Sequence, residues 1–526
     1  MSALAASVVF RADASWTIGN GHVMRCLTLA DALAQAGWET RFVCRAHDGH
    51  LGAQIEARGH RLTLLPTAAL VAGDTAHAAW LGGTWQQDAE ATRAALAGQG
   101  ADWLVVDHYA LDARWEDALR PVAARIMAID DLADRPHACD ILFDQNLGRT
   151  EGDYDGLIPA GARRLIGPGH ALLRPEFAEA RAGALARRAE TGWQARSILI
   201  AMGGTDPDNS TGAILQALAQ HAMLETREVK VVLGSNAPHL GAVRALVADL
   251  AAGSGARVEL LTDRKDMAAL MAAADLAIGG VGGTSWERCC LGLPTLLLVL
   301  ADNQRPGAEA LDQTGAAVLC GDARDDAWKA HLVQALRAAC DPRRLEAMSR
   351  AAAAVCDGRG VGRVTAQMGM RLRAATMADA QDVWTWRRGI DPAFLAAGQT
   401  PELPAHLAWF QQALQDPRRE LLMVDVGAQP AGHLRLDWGD QGEATVSIVL
   451  NPAFRGLSLA APILGDLARH ASARRDGHRL VALVHRDNTA STRAFRRAGF
   501  ALASTEPSFS RWELDLTPYR QAGTVH

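Results

Sequence analysis

At 526 residues the chain is too long for one hydrophobic core, since cores stop growing at roughly 250–300 residues, and three domains are expected. Apolar residues make up 49% and charged residues 21%, proportions that exclude wholesale disorder. A formal net charge of −6 leaves no basic footprint for nucleic acid or an anionic membrane, so neither is expected as a partner and an anionic ligand must be held locally.

The first ~180 residues alternate short apolar runs with helical patterns. The runs 8–10, 40–44, 61–65, 103–107, 125–130 and 139–144 read as strands, and their continuous apolar character suits a parallel sheet covered on both faces. A helix is expected from about Gly21, with Val23, Leu27, Ala30 and Ala34 on one face and Gly37 placed to end it. A second array of the same texture runs through 197–204, 229–234, 257–261, 275–280, 294–300 and 316–320. Two such arrays imply two Rossmann-like domains with a ligand cleft. Residues 342–370 are rich in Ala and Arg and read as helix, interrupted at Gly358, Gly360 and Gly362. Beyond them the runs 371–376, 420–426, 432–438, 443–450, 479–484 and 511–516 predict an antiparallel or mixed sheet with few helices. The expected fold is α/β, with domains at 1–185, 186–367 and 368–520.

The eight cysteines form no CxxC pair, so neither a zinc site nor a disulfide framework is expected, and the thiols read as small buried residues of a reducing compartment. The opening MSALAASVVFRADAS has neither a cationic start nor a long apolar run, and no stretch of ~18 apolar residues follows, so the expected location is the cytoplasm.

The segment Arg11-Ala-Asp13-Ala-Ser-Trp-Thr-Ile-Gly19-Asn-Gly21-His22 carries a strand into a helix. Its glycines allow a tight turn, and the helix start presents unpaired N–H groups that suit negative charge. The positive end of the helix dipole favours neutral imidazole, the form a general base needs. For such a histidine a packing or capping role competes evenly. Three further segments stand at strand C-terminal ends, where a cleft would be lined. Asp107-His108-Tyr109 closes one strand, although an isolated triplet of this kind is more often loop polarity. Gly203-Gly204-Thr205-Asp206 follows the first strand of the second array and is a weak signal alone. Gly279-Gly280-Val281-Gly282-Gly283-Thr284-Ser285-Trp286-Glu287 is stronger, because amides and hydroxyls at that helix start can hold a diphosphate without metal, and Glu287 can accept from ribose hydroxyls. Its bland reading is a glycine turn with a capping Thr. No DxD metal pattern stands out, and Asp130-Asp131 reads as a strand-end turn.

Taken together, RADASWTIGNGHVMRCLTLA, VDHY, AMGGTD and GGVGGTSWERCCLGLP resemble the UDP-2,4-diacetamido-2,4,6-trideoxy-β-L-altropyranose hydrolases of pseudaminic acid biosynthesis, over roughly residues 5–340. The resemblance implies a glycosyltransferase-B-like pair of domains in which water attacks the anomeric carbon and UDP departs. It implies His22 as the base and a UDP loop at Gly282, Gly283, Thr284 and Glu287; the motif segments at the strand ends add Arg11, Asp13, Gly19, Gly21, Asp107, His108, Tyr109, Gly203, Gly204 and Asp206 as expected ligand contacts.

After a strand that includes Val449, the turn Arg455-Gly456-Leu457-Ser458-Leu459-Ala460 opens a helix. About 30 residues on, Asn488-Thr-Ala-Ser491 opens another, which Gly499-Phe500 ends. This order resembles the Gcn5-type N-acetyltransferase (GNAT) superfamily, which implies acetyl-CoA as co-substrate, held by Val449, Arg455, Gly456, Ser458, Ala460, Asn488 and Ser491. Ser458 replaces the middle glycine of the superfamily's turn, and Phe495 stands where many members have the tyrosine that protonates the CoA thiolate. His433, Asp437, Glu443 and His485 could relay the amine proton, and sequence does not rank them.

The resemblances together imply acetylation of the 4-amino group of UDP-4-amino-4,6-dideoxy-N-acetyl-β-L-altrosamine, followed by hydrolysis of the diacetamido product. The alternatives are a UDP-sugar glycosyltransferase with an acetylating domain, the same chemistries on a related diamino-trideoxyhexose, and a nucleotide-sugar sensor without activity. UDP release without a sugar acceptor separates hydrolysis from transfer.

Overall fold

The computed structural model describes residues 6–67, 77–96, 98–225, 227–254, 257–395, 398–473 and 477–521. The chain forms two compact units, Met1–Val361 and Gly362–His526.

In the first unit, β1 (Ser7–Ala12), β2 (Glu39–Arg45), β3 (Arg61–Leu65), β4 (Ala101–Asp107), β5 (Ala123–Ile129), β6 (Ile141–Asp144) and β7 (Arg163–Ile166) make one parallel sheet ordered β3-β2-β1-β4-β5-β6-β7. Val8, Val9 and Phe10 are fully buried, as a central strand covered on both faces requires. The β7 segment is absent from the sequence expectation, because Arg163 and Arg164 mask an edge strand with one fully buried side chain, Leu165. A second parallel sheet, β10-β9-β8-β11-β12-β13, is built from β8 (Ser197–Ala201), β9 (Glu228–Leu233), β10 (Arg257–Thr262), β11 (Leu276–Gly280), β12 (Thr295–Val299) and β13 (Ala317–Asp322). The helix Pro175–Glu190 joins this second core through Phe177 and Ala184.

Both sheets are Rossmann-like. In each, the chain works outward from the first strand and then returns to the other side of it, so strand order reverses between β1 and β4 and again between β8 and β11. Such reversals open a crevice at the strand C-terminal ends. Every motif singled out in the first 340 residues lies at one of these two points.

The second unit is a seven-stranded sheet, β14 (Met370–Ala374), β15 (Arg419–Val426), β16 (Gln429–Trp438), β17 (Glu443–Leu450), β18 (Arg479–His485), β20 (Phe509–Asp515) and β19 (Ala501–Thr505), in that order. It is antiparallel except for the parallel pair β17–β18. The sequence expectation of few helices fails here. Helices Ala380–Arg388, Leu403–Gln415, Ala460–Ser472 and Thr489–Arg497 pack against this sheet's cores through Val383, Phe410, Leu464 and Phe495. Polar residues and Trp break the helical pattern of the first two. The edge strand β19 is exposed throughout, so no alternation marks it in sequence.

No helix among the described residues is long and apolar enough to cross a membrane. The eight cysteines are free thiols; Cys340 is exposed, against expectation, and the others are buried.

Candidate active sites

His22 is the second residue of the helix Gly21–Gln35. The turn before it is set by Ser15, whose Oγ accepts from the amides of Thr17 and Ile18, and by Gly19 at φ 80°, a left-handed conformation that favours glycine. Asn20 provides no side-chain cap, so the first-turn amides keep their capacity for an anion.

The imidazole Nδ1 lies 2.6 Å from Asp107 Oδ1. A carboxylate can only accept, so Nδ1 carries a proton and Nε2 is the ring nitrogen left for a ligand or water. Asp107 is fully buried, and burial alone would raise its pKa. Arg25 and then His22 outweigh burial and hold the carboxyl well below the usual range. Arg25 donates Nε to Asp107 Oδ2 (2.6 Å) and Nη2 to Asp107 Oδ1 (2.7 Å) and Asp131 Oδ2 (2.8 Å). Tyr109 donates its hydroxyl to Asp131 Oδ2 at 2.7 Å and turns its ring edge-on to His22, 4.7 Å between centroids. The residues His22, Asp107, Arg25, Asp131 and Tyr109 therefore form a closed ring of contacts at the β1/β4 reversal.

Arg25 has no part in the sequence expectation, where it resembles any surface helix arginine, and Asp131 was read as part of a turn. One signal was available. Arg25 lies three residues after His22, on the same face of the helix.

Several residues expected at the ligand also carry contacts within the fold. Arg11 and Asp13 are fully buried. Arg11 binds Asp88 through Nε (3.0 Å) and Nη2 (2.7 Å) and Asp13 through Nη1 (2.7 Å), while Arg45 and the Trp115 indole also donate to Asp88. This charge network ties β1 and β2 to two helices. Removing one partner strands a buried charge, so Asp88→Ala is expected to cost about 3–5 kcal/mol in chemical denaturation. His108 is also buried; its Nδ1 accepts from the Ala110 amide at 3.1 Å, and burial pushes the imidazolium down to about 4. Asp107, likewise enclosed, holds His22 and Arg25. Asp206 is buried at φ 38° and caps the helix Ser210–Gln220 through the amides of Ser210 (3.0 Å) and Thr211 (2.8 Å). Short-range sequence cannot tell a polar residue that faces a cleft from one that braces its floor.

At the β8/β11 reversal, Gly203 and Gly204 are exposed, Gly203 at φ 118°. The four glycines of the β11 loop divide into two pairs. A Cβ on Gly279 would strike the Arg288 guanidinium and the Ala201 carbonyl, and one on Gly280 would meet Leu300 at 3.0 Å. That pair is demanded by packing. Gly282 and Gly283 face open space and, with Thr284, are exposed at the start of the helix Gly283–Cys290. Arg288 braces the loop from beneath, donating to the Gly280 carbonyl (2.6 Å) and to Ser285 Oγ (3.1 Å). Glu287 makes no side-chain hydrogen bond among the described residues, and burial pushes its carboxyl up to about 7. Among the described residues, no three His, Cys, Asp or Glu side chains are grouped to hold a metal ion.

In the second unit, β17 and β18 pair only over Glu443–Thr445 and Arg479–Val481. Beyond Thr445, β17 stays with β16 to Leu450, and beyond Val481, β18 stays with β20 to His485. The two strands therefore part, so that among the described residues the β18 side of Val449 has no strand partner, along a wedge. At its end, Arg455, Gly456 (φ 81°) and Ser458 (φ 57°) turn the chain into the helix Ala460–Ser472, which has no side-chain cap. Ser458 thus keeps the left-handed backbone natural to glycine. Asn488 uses its carbonyl to cap the next helix, accepting from the Ser491 amide at 3.0 Å. Phe495 is core, edge-on to Phe500.

Of the four possible proton carriers, Asp437 is engaged by Arg419 (3.1 Å) and Arg435 (2.8 Å), and Glu443 by Arg511 (3.3 Å). His433 is buried with Nε2 unpartnered among the described residues, and burial, then Arg387 and Arg435, push it down to about 3. His485 ends β18 past the split, between the rings of Phe394 (5.4 Å) and Phe509 (5.3 Å).

Residues 370–501 match the acetyltransferase (GNAT) domain family. A GNAT domain is present. The N-terminal half resembles the spore coat polysaccharide biosynthesis protein SpsG of Bacillus subtilis, 30% identical over 210 residues, 40% of this chain and 59% of that protein. It also resembles the UDP-2,4-diacetamido-2,4,6-trideoxy-beta-L-altropyranose hydrolase of Campylobacter jejuni, 26% identical over 234 residues, 44% of this chain and 71% of that enzyme. The match to SpsG thus spans under two thirds of that relative. A solved structure, MurG of Acinetobacter baumannii, aligns with 68% of this chain and 98% of its own at 16% identity and a TM-score of 0.49.

Proposed function

We propose that the chain is a bifunctional nucleotide-sugar enzyme. Its GNAT domain transfers acetyl from acetyl-CoA to the 4-amino group of UDP-4-amino-4,6-dideoxy-N-acetyl-β-L-altrosamine. Its first unit then hydrolyses the resulting UDP-2,4-diacetamido-2,4,6-trideoxy-β-L-altropyranose. The observation that carries the hydrolytic reading is the Asp107–His22 pair, which fixes Nδ1 on the carboxylate and leaves Nε2 as the nitrogen to act as base at a strand-order reversal.

In the first reaction the amine nitrogen bonds to the thioester carbonyl, the C–S bond breaks, and CoA leaves as thiolate while the amine loses a proton. The wedge between β17 and β18 suits an amide-bearing pantetheine arm, and the amides after Ser458 suit a pyrophosphate. Without a tyrosine at position 495, this reading has solvent or the His485 imidazole supply the thiolate's proton. In the second reaction, water oxygen bonds to the anomeric carbon, the bond to the β-phosphate oxygen breaks, and UDP leaves with the electron pair. His22 Nε2 takes the proton of the attacking water. UDP is a good leaving group, so the demand falls on activating water, a task typically worth ~10²–10⁴-fold.

Mass spectrometry of a reaction containing acetyl-CoA and the 4-amino UDP-sugar tests both steps. CoA should appear first and UDP second, with no sugar acceptor added. Acetylation of another amine alone, or UDP release only when an acceptor is supplied, overturns the corresponding half.

Two further outcomes follow. Ser458→Val places a β-branched residue at positive φ, which is strongly disfavoured, and should raise KM for acetyl-CoA, whereas Ser458→Gly should preserve or lower it. Ionised Glu287 accepts from ribose hydroxyls through both oxygens and more strongly than the protonated acid does, so UDP affinity should rise with pH through about 7, and Glu287→Gln should flatten that dependence in calorimetry. The same group affects stability. Its folded pKa lies above its ordinary value, so its contribution is fully present below about 4.5 and is lost as pH rises through about 7.

A further inference from the structure

We propose that Trp80, with Tyr109 and His77, forms the sugar subsite of the first unit, an aromatic platform for the C–H and methyl face of a deoxy-acetamido hexose next to His22. The inference rests on the hydrolase reading and adds what that reading lacks, the residues that recognise the sugar itself.

The Trp80 indole stacks on Tyr109, with centroids 5.7 Å apart and planes at 26°. His77 stands edge-on to both, at 4.6 Å from Trp80 and 5.2 Å from Tyr109. His22 is edge-on to Tyr109 at 4.7 Å and to Trp80 at 6.4 Å. The four rings thus make one cluster, and within it Tyr109 and His22 are buried while Trp80 and His77 keep solvent-facing surface. The half-buried indole therefore stands beside the imidazole, 6.4 Å away between centroids.

The platform is anchored. Trp80 belongs to the short helix Ala78–Leu81, and Leu81 is buried in the core of the first sheet. Gly82 follows at φ 63°, where an added Cβ would lie 3.0 Å from the Arg45 side chain and 3.2 Å from His47. Arg45 is itself fixed by Asp88 and by the Pro66 carbonyl at 2.7 Å. A ring held this firmly loses little freedom when a ligand stacks on it.

The chemistry fits the sugar class. An aromatic face carries partial negative charge and attracts polarised C–H groups. A 2,4-diacetamido-2,4,6-trideoxy hexose replaces hydroxyls with acetamido methyls and a C6 methyl, so it offers more apolar surface than an ordinary hexose. His77 adds to the apolar character, since partial burial lowers its pKa and favours the neutral ring.

Calorimetric titration in a His22→Asn background, where turnover is slowed enough to titrate the intact substrate, tests the platform. UDP and UDP-2,4-diacetamido-2,4,6-trideoxy-β-L-altropyranose are compared as ligands. Trp80→Ala should weaken the sugar-bearing ligand about tenfold and leave UDP unchanged, and Trp80→Phe should restore most of the loss. If Trp80→Ala does not fold, Trp80→Leu keeps the apolar bulk without the aromatic face and should show the same selective loss. Equal affinities of the two ligands in the parent, or equal losses for both in the variant, overturn the platform. Failure of the unmodified chain to release UDP from this sugar overturns the hydrolase reading instead, and the titration ratio still decides the platform.

Discussion

His22→Asn is expected to lower UDP release by roughly 10²–10⁴-fold while UDP binding stays within a factor of about two. Asparagine keeps the polarity and approximate size of the side chain but cannot take a proton at neutral pH. The helix-start amides that suit the nucleotide's charge are unaffected. Stopped-flow detection of UDP, with calorimetry of UDP binding alongside, separates the two quantities. Turnover near normal in a folded variant would remove His22 from the chemistry.

Asp107→Asn should be nearly as damaging, with a loss of about 10²–10⁴-fold in kcat and little change in KM. An amide at this position has two orientations. With its oxygen toward His22 it keeps the tautomer but gives up the negative charge that stabilises imidazolium. With its NH2 toward His22 it donates to Nδ1, moves the ring proton to Nε2 and blocks the base. Arg25 retains Asp131 at 2.8 Å in either case, so the fold should survive and the loss should fall on rate. A variant with normal kcat and raised KM would show that Asp107 serves binding rather than the base.

The architecture was readable because buried parallel strands announce themselves as unbroken apolar runs, as in Val8-Val9-Phe10 and Leu296-Leu297-Leu298. What escaped was structure without contrast, such as the exposed edge strand Ala501–Thr505 and helices whose apolar face is interrupted by Trp and Arg. The site was legible by position more than by role. His22 was marked by the glycines before it. Arg25 and Asp131 were not, since Arg25 meets carboxylates 82 and 106 residues further along the chain and the second of these is Asp131 itself. Conversely, Arg11, Asp13 and Asp206 carried the polarity of a binding residue, but their partners are other parts of the fold. Chain order records neighbours along the backbone, whereas charge neutralisation is a property of the folded interior.

The parted strands β17 and β18 have a thermodynamic consequence. Backbone amides that a sheet would normally satisfy stand open along the wedge, so a molecule supplying matching groups adds to cohesion as well as undergoing chemistry. By mass action, a guest at a hundred times its dissociation constant would strengthen residues 370–501 by about 2.7 kcal/mol. Resistance of this domain to heat would then track the acyl-carrier supply, and a chain starved of it would lose acetyl transfer before it lost hydrolysis.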